Sequence, residues 1–128
     1  MKLQHPIILL LILLFGKIIN AQSFEGVWKG TSLCQVKNSP CHDEIVVYHI
    51  SKDVAAKSYK MIANKIVNRK EDYMGTINFT YDDKQNIFVS VDSARNARWE
   101  FKLTGSTMKG TLMYQGGLYR IVDVKKEN

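Results

Sequence analysis

Apolar and polar residues alternate in short runs along most of this chain, and turn-forming residues separate the runs. Trp99, Phe101 and Leu103, for example, alternate with charged neighbours. That two-residue period is typical of a β-strand with one buried face, and no long segment after residue 23 shows a helical period. The pattern predicts eight strands, at 24–33, 44–51, 58–67, 73–81, 87–91, 97–103, 107–114 and 118–125.

The connections between these runs are short and rich in turn formers, as at Gln115-Gly116-Gly117. Short connections join sequence neighbours as hairpins, and an antiparallel series of eight strands can close into a barrel. The sequence therefore predicts an all-β fold, an eight-stranded antiparallel up-and-down barrel. Alternation places Tyr73, Ile77 and Phe79 on one face of the fourth strand. The segment 54–57 is predicted as part of a connection or as a helical turn.

The N-terminus has the order of a secretory signal peptide. One lysine precedes an unbroken apolar run over residues 7–15, and Ala21 offers a small residue for cleavage. The run is too short for a transmembrane span, which needs about 20 apolar residues. We therefore expect a signal peptide at residues 1–21, one domain at 22–128, and an exported protein that is periplasmic or secreted.

Charge is spread thinly over the chain. Eighteen Lys and Arg face twelve Asp and Glu, and removal of residues 1–21 takes away Lys2 and Lys17. Nucleic-acid binding requires basic residues clustered on one face. Here the only adjacent basic pairs beyond the leader are Arg69-Lys70 and Lys125-Lys126, so no nucleic-acid partner is expected. An anionic envelope surface remains an alternative.

Cys34 and Cys41 are the only cysteines. An even count in an exported chain predicts a disulfide, which would pin the connection between the first two strands. The spacing fits neither redox catalysis nor covalent haem attachment. A metal site remains the alternative, with Cys34, Cys41, His42, Asp43 and His49 as ligands, although no metal is expected.

Three glycines lie inside predicted strands. Lys29-Gly30-Thr31 is repeated as Lys109-Gly110-Thr111, and Gly75-Thr76 is a partial copy. Glycine weakens a strand unless the strand must bend or another chain segment comes close, so the three positions support a curved, closed sheet.

The opening of the first strand, Phe24-Glu25-Gly26-Val27-Trp28, resembles the lipocalin-like, or calycin, barrels. The resemblance extends to short exported bacterial proteins of lipocalin-like shape, and in size to the avidin-like barrels. It implies that Gly26 and Trp28 begin a barrel that Trp28 closes at one end. It also implies that a basic residue of the last strand, Arg120, packs across the indole ring. The chain is much shorter than typical lipocalins and lacks their C-terminal helix, which puts a roomy cavity in doubt.

Eight-stranded barrels are either filled by side chains or hold one small ligand. Our first hypothesis is a non-enzymatic binding barrel for a small hydrophobic or aromatic ligand, without a cofactor. The alternative is a filled barrel that binds an envelope protein through its disulfide-pinned loop. An enzyme is not expected, because the acidic pairs Asp43-Glu44 and Asp82-Asp83 point to opposite strand faces. The predicted lining residues share an aromatic or thioether side chain: Trp28, Tyr48, Met61, Tyr73, Phe79, Trp99, Phe101, Tyr114 and Tyr119.

Overall fold

The computed structural model describes residues 23–128, so the predicted signal peptide lies outside the described residues. The described chain forms eight strands joined by short turns and one longer loop. They are β1 (Gly26–Cys34), β2 (Glu44–Asp53), β3 (Ser58–Val67), β4 (Lys70–Asp82), β5 (Ile87–Asp92), β6 (Ala97–Thr104), β7 (Thr107–Tyr114) and β8 (Gly117–Lys126).

Each strand pairs antiparallel with the next, and β8 returns to pair with β1. The result is a closed barrel in up-and-down order, which confirms the predicted fold class. Residues 54–57 form a turn, in which Lys57 adopts a left-handed φ of 51°. Strand β4 begins at Lys70, three residues earlier than the alternation predicts, because its first residues pair with the end of β3.

A β-bulge in β4 corrects the predicted face of Tyr73. Asn64 pairs with Tyr73 and Ala63 pairs with Gly75, so Met74 is an extra residue on β4. One inserted residue shifts the alternation by one and sends Tyr73 to the outer face. Its side chain is 63% exposed. The prediction that Tyr73 shares a face with Ile77 and Phe79 is therefore wrong.

One end of the barrel is closed by a residue that precedes the first strand. Phe24 is 1% exposed and stacks on Phe88 at 3.8 Å between ring centroids. It meets the edges of Tyr59 and Phe79 at 5.2 and 5.7 Å. The indole Nε1 of Trp28 donates to the Phe24 carbonyl at 3.0 Å, which fixes this plug in place.

The pairing between neighbouring strands is shortest between β4 and β5. Only residues 80–82 of the thirteen-residue β4 pair with β5, through residues 87–89. Beyond that short ladder no further pairing between the two strands is seen among the described residues. We call the end that holds the plug and the turns 54–57, 83–86 and 105–106 the closed end. The open end holds the loop 35–43 and the turns 68–69, 93–96 and 115–116.

Candidate functional site: a cavity at the open end

A cavity of about 660 Å³ occupies the open half of the barrel. Its wall includes the aromatic residues Trp99 and Tyr114, and it extends into the seam between β4 and β5. Several lining residues, such as Met74 and Val91, are exposed, so the cavity communicates with solvent. The residues around it come from all eight strands and are brought together only by closure of the barrel.

The nine predicted lining residues divide along the barrel axis. Four of them line the cavity: Tyr48, Trp99, Tyr114 and Tyr119. Four others are at most 1% exposed and fill the barrel below it: Trp28, Met61, Phe79 and Phe101. Tyr73 lies on the outer face, for the reason given above. The interior is thus packed at the closed end and hollow at the open end.

Arg120 lies on the cavity wall and not on Trp28. Its Nη1 donates to the Ser32 carbonyl and hydroxyl oxygens, both at 3.3 Å, and to the His42 carbonyl at 3.0 Å. Its Nη2 lies 3.7 Å from Glu44 Oε1. Ser32, Glu44 and Arg120 therefore form a polar strip beside the aromatic lining.

The basic residue above the Trp28 ring is Lys126, whose Nζ lies 5.5 Å from the ring centroid. Lys126 is the cross-strand partner of Trp28, whereas Arg120 is the partner of Cys34 at the other end of β1. Six residues of strand separate the two positions, roughly 20 Å at about 3.3 Å per residue. The predicted stacking of Arg120 on Trp28 is corrected accordingly: a basic residue of the last strand does cover the indole, but it lies six residues later.

Tyr48 adds a buried hydroxyl to the polar strip. Its side chain is only 2% exposed, and burial raises the pKa of its phenol well above the ordinary value. The nearby Arg120 and a hydrogen bond with Ser32 oppose that rise only in part. The phenol is therefore neutral throughout the physiological range and acts as a hydrogen-bonding group at the base of the cavity.

The disulfide between Cys34 and Cys41 is formed, with the two Cα atoms 5.8 Å apart, as the sequence predicts. The loop that it closes is also tied to the cavity wall. Asp43 Oδ1 accepts from the Cys34 amide at 2.8 Å, and the Gln35 amide donates to the Tyr119 carbonyl at 2.9 Å. Together with the bond from Arg120 to His42, these contacts make the loop part of the rim of the cavity.

His49 belongs to a separate cluster on the outer face. It lies 2.6 Å from Glu71 Oε1, and the Asn64 side-chain amide donates to the same oxygen at 3.2 Å. These bonds lower the pKa of the Glu71 carboxyl. The His49 ring is thus bound to Glu71 on the outer face of the barrel. Among residues 23–128, no three His, Cys, Asp or Glu side chains are grouped to hold one metal ion.

Fourteen of the nineteen lining residues are absent from the predicted site residues, and Ser32, Glu44 and Met74 illustrate why. Ser32 was predictable, since the two-residue alternation that starts at Trp28 places it on the inner face of β1. Glu44 shares the period of Tyr48 in the same way. No sequence pattern places Met74 at the cavity, because only the bulge in β4 brings it there.

No helix within the described part of the chain is long and apolar enough to cross a membrane.

The sequence was compared with known protein-family models and with curated proteins, and it matches neither.

Proposed function

We propose that this chain is an exported, non-enzymatic barrel that binds one small ligand with an apolar or aromatic body. The observation that carries the proposal is the cavity of about 660 Å³, which lies within the range of roughly 300–1,000 Å³ typical of small-molecule sites. Its wall joins an aromatic surface to a short polar strip. That combination suits a ligand whose apolar body packs on the rings while a polar group is oriented by hydrogen bonds.

Trp99 supplies the principal flat surface of the cavity. It stacks on Phe101 with 5.8 Å between ring centroids and an interplanar angle of 11°, so one ring face is held rigid by the core. A rigid aromatic surface loses little conformational entropy when a ligand packs against it. The polar strip from Ser32 to Arg120 lies on the same cavity wall as Tyr48.

Export is supported by the disulfide in the rim. Disulfides persist in oxidising compartments and are rare in the cytosol. The bond between Cys34 and Cys41 is consistent with a periplasmic or secreted protein and agrees with the leader expected at residues 1–21.

Tryptophan fluorescence tests the proposal, because Trp99 lines the cavity and Trp28 lies in the packed end. The chain is titrated with fatty acids, retinoids, haem and small aromatic compounds. We expect at least one saturable change that survives in Trp28→Phe and disappears in Trp99→Phe.

Two further variants show whether the ligand occupies the cavity. Gly75 lines the cavity, and a Cβ added there meets nothing within 4 Å, so Gly75→Phe is designed to place a ring in the cavity. Val54→Phe adds the same ring to an exposed turn at the closed end. We expect loss of binding in the first variant only. Equal affinity in both variants, or no saturable change with any compound, contradicts the proposal.

A second candidate function rests on the rigid loop 35–43. The disulfide and the contacts with Asp43 and Arg120 hold it in one conformation, and Val36 and Lys37 are exposed on it. A loop that is already ordered loses little entropy on binding, which suits recognition of an envelope protein. Affinity capture from envelope extracts tests this, with the wild type compared with the Cys34→Ser/Cys41→Ser pair. Equal retention of partners by both forms contradicts the second candidate.

A further inference from the structure

The charged side chains on the cavity wall balance one another. Among the described residues that line the cavity, two are acids and two are bases: Glu44, Asp92, Arg95 and Arg120. Arg120 Nη2 lies 3.7 Å from Glu44 Oε1, and Arg95 Nε lies 3.7 Å from Asp92 Oδ2. Each of these bases therefore has an acid beside it, and the charges on the described lining cancel.

The two pairs differ in their depth. The side chains of Arg95 and Asp92 are 81% and 48% exposed, so water and salt screen this outer pair. The side chains of Arg120 and Glu44 are only 12% and 20% exposed. A further charge beside this inner pair is screened much less, because little water surrounds it. The inner pair therefore determines which ligand charge the cavity accepts.

Arg120 is already engaged and is not free to bind an anionic ligand. Its Nη1 donates to oxygens of Ser32 and His42, and its Nη2 faces Glu44. The Tyr119 ring centroid lies 5.7 Å from its Cζ. A ligand carboxylate binds a guanidinium best through two N–H groups at once. Here it would have to displace these oxygens and then lie beside the Glu44 carboxylate.

Tyr48 shows independently that the base of the cavity disfavours negative charge. Burial raises the pKa of its phenol, although the nearby Arg120 opposes the rise in part. A phenolate is an anion at that depth, and a ligand carboxylate placed there loses its hydration in the same way. A ligand ammonium also loses its hydration, and it meets the Arg120 guanidinium. Both ligand charges are therefore disfavoured.

Glu44 retains unused hydrogen-bonding capacity on the polar strip. Its nearest cation lies 3.7 Å away, which is longer than a hydrogen bond, and its carboxylate accepts no hydrogen bond from residues 23–128. The Ser32 hydroxyl, in contrast, is 1% exposed and accepts from Arg120 at 3.3 Å. An ionised carboxylate can only accept, so the complement of Glu44 is a neutral O–H or N–H donor.

We propose that the ligand is an uncharged molecule whose apolar body packs on Trp99 and whose hydroxyl or N–H group donates to the Glu44 carboxylate. This inference rests on the proposed function and specifies its ligand class as alcohols and amides, in contrast to fatty acids and amines. A hydrogen bond to a charged acceptor is stronger than one between neutral groups, and a neutral donor brings no charge to desolvate.

Probes that differ only in their head group test the inference. Isothermal titration calorimetry at neutral pH is performed on the chain recovered from an exporting host. The probes are decanol, decanoate, decylammonium and decyl methyl ether, and the same four head groups on a naphthylmethyl body. We expect an alcohol to bind more tightly than its charged counterparts by about tenfold or more, because they must be desolvated. The ether lacks the donor and should also bind about tenfold more weakly.

Two matched variants show whether the inner pair sets this preference. Glu44→Gln keeps the shape of the side chain, removes its charge and leaves Arg120 free for an anion. We expect the affinity for decanoate to rise relative to decanol by about tenfold or more. Asp92→Asn makes the same change in the exposed outer pair and should alter the preference by less than about twofold. Circular dichroism verifies that both variants are folded, and the wild-type ranking decides if Glu44→Gln is not.

The inference is overturned if a charged probe or the ether binds as tightly as the alcohol, or if no probe binds. It is also overturned if folded Glu44→Gln and Asp92→Asn change the preference equally. Each of these results leaves the proposed function intact, provided that another compound gives the saturable change that depends on Trp99. Absence of binding by every compound in both titrations contradicts the proposed function itself.

Discussion

Gly30 lies where β1 and β8 meet to close the barrel, and its replacement by alanine tests that closure directly. A Cβ atom at this position would lie 2.0 Å from the Asp123 carbonyl oxygen and 2.7 Å from the Val124 Cα. Ordinary contact begins near 3.4 Å, so the two backbones must separate by about 1.4 Å. Both neighbours are backbone atoms, and no side-chain rotation can relieve the contact. Both strands are also held from their other sides, β1 by β2 and β8 by β7.

The expected cost follows from the rigidity of this seam. Overpacking a well-packed interior usually destabilises a protein by about 1–3 kcal/mol, and more where the backbone must move. We therefore expect Gly30→Ala to lower the free energy of unfolding by about 3 kcal/mol or more. For a domain of this size, that corresponds to a fall in Tm of roughly 10–20 °C. Urea unfolding followed by tryptophan fluorescence measures the change, because Trp28 is fully buried beside the seam.

Two other strand glycines serve as graded controls. A Cβ at Gly110 would meet the Phe101 ring at 2.4 Å and the Glu100 carbonyl at 2.8 Å. The Phe101 ring is buried and the Glu100 carbonyl is backbone, so Gly110→Ala should also destabilise, by about 1–3 kcal/mol; we expect less than for Gly30→Ala because the nearest backbone contact is 0.8 Å longer (2.8 against 2.0 Å). A Cβ at Gly75 meets nothing within 4 Å, so Gly75→Ala should be neutral or stabilise by up to about 1 kcal/mol through the unfolded chain. The reasoning is refuted if the free energy of unfolding of Gly30→Ala lies within about 1 kcal/mol of the wild-type value. It is also refuted if Gly75→Ala loses as much stability as Gly30→Ala.

Three further predictions concern the two ends of the barrel. Phe24→Ala should lower the free energy of unfolding in urea by about 3–5 kcal/mol, because it empties a plug packed among three rings; a loss below about 1 kcal/mol would show that the plug does not contribute. Burial raises the pKa of Tyr48 in the folded protein. The stability due to its neutral phenol is therefore complete below the pKa of the unfolded chain, about 10, and is lost as pH rises through the pKa of the folded state. Tyr48→Phe should therefore flatten the alkaline decline in unfolding free energy, and an unchanged slope in urea titrations at several alkaline pH values would contradict this. Lys126→Met removes the cation above Trp28 and should change the emission of that indole, whereas Arg120→Met should not, since Arg120 lies at the open end; similar spectra for both variants would refute the assignment.

The strands and the fold class were predictable because they depend on local signals. Inward and outward residues alternate along β6 from Trp99 to Leu103, and turn formers stand at nearly every reversal. Strand order then follows from the short connections, since a short turn joins only antiparallel neighbours. None of these steps requires knowledge of how distant strands are aligned.

The errors arise where alignment between strands matters. Tyr73 is displaced by a single extra residue in β4, and a bulge has no fixed sequence signature. Arg120 has the expected residue type on the expected strand, but its height in the barrel depends on the register between β1 and β8. That register is set by how far the strands stagger around the closed sheet, which no local pattern records. The choice between Arg120 and Lys126 as the partner of Trp28 was therefore open from sequence.

The same limit explains why sequence could not distinguish a filled barrel from a hollow one. The residues that pack the closed end and those that line the cavity are of the same types, and only their height in the barrel separates them. Phe24 brings an extra ring into the closed end from outside the strands, so that end is filled without using Trp99 or Tyr114. Substitutions at Phe79 or Phe101 should therefore affect stability first, whereas those at Trp99 or Tyr114 should affect the proposed ligand binding. The barrel thus resolves the two alternatives by position along its axis, with packing at one end and free volume at the other.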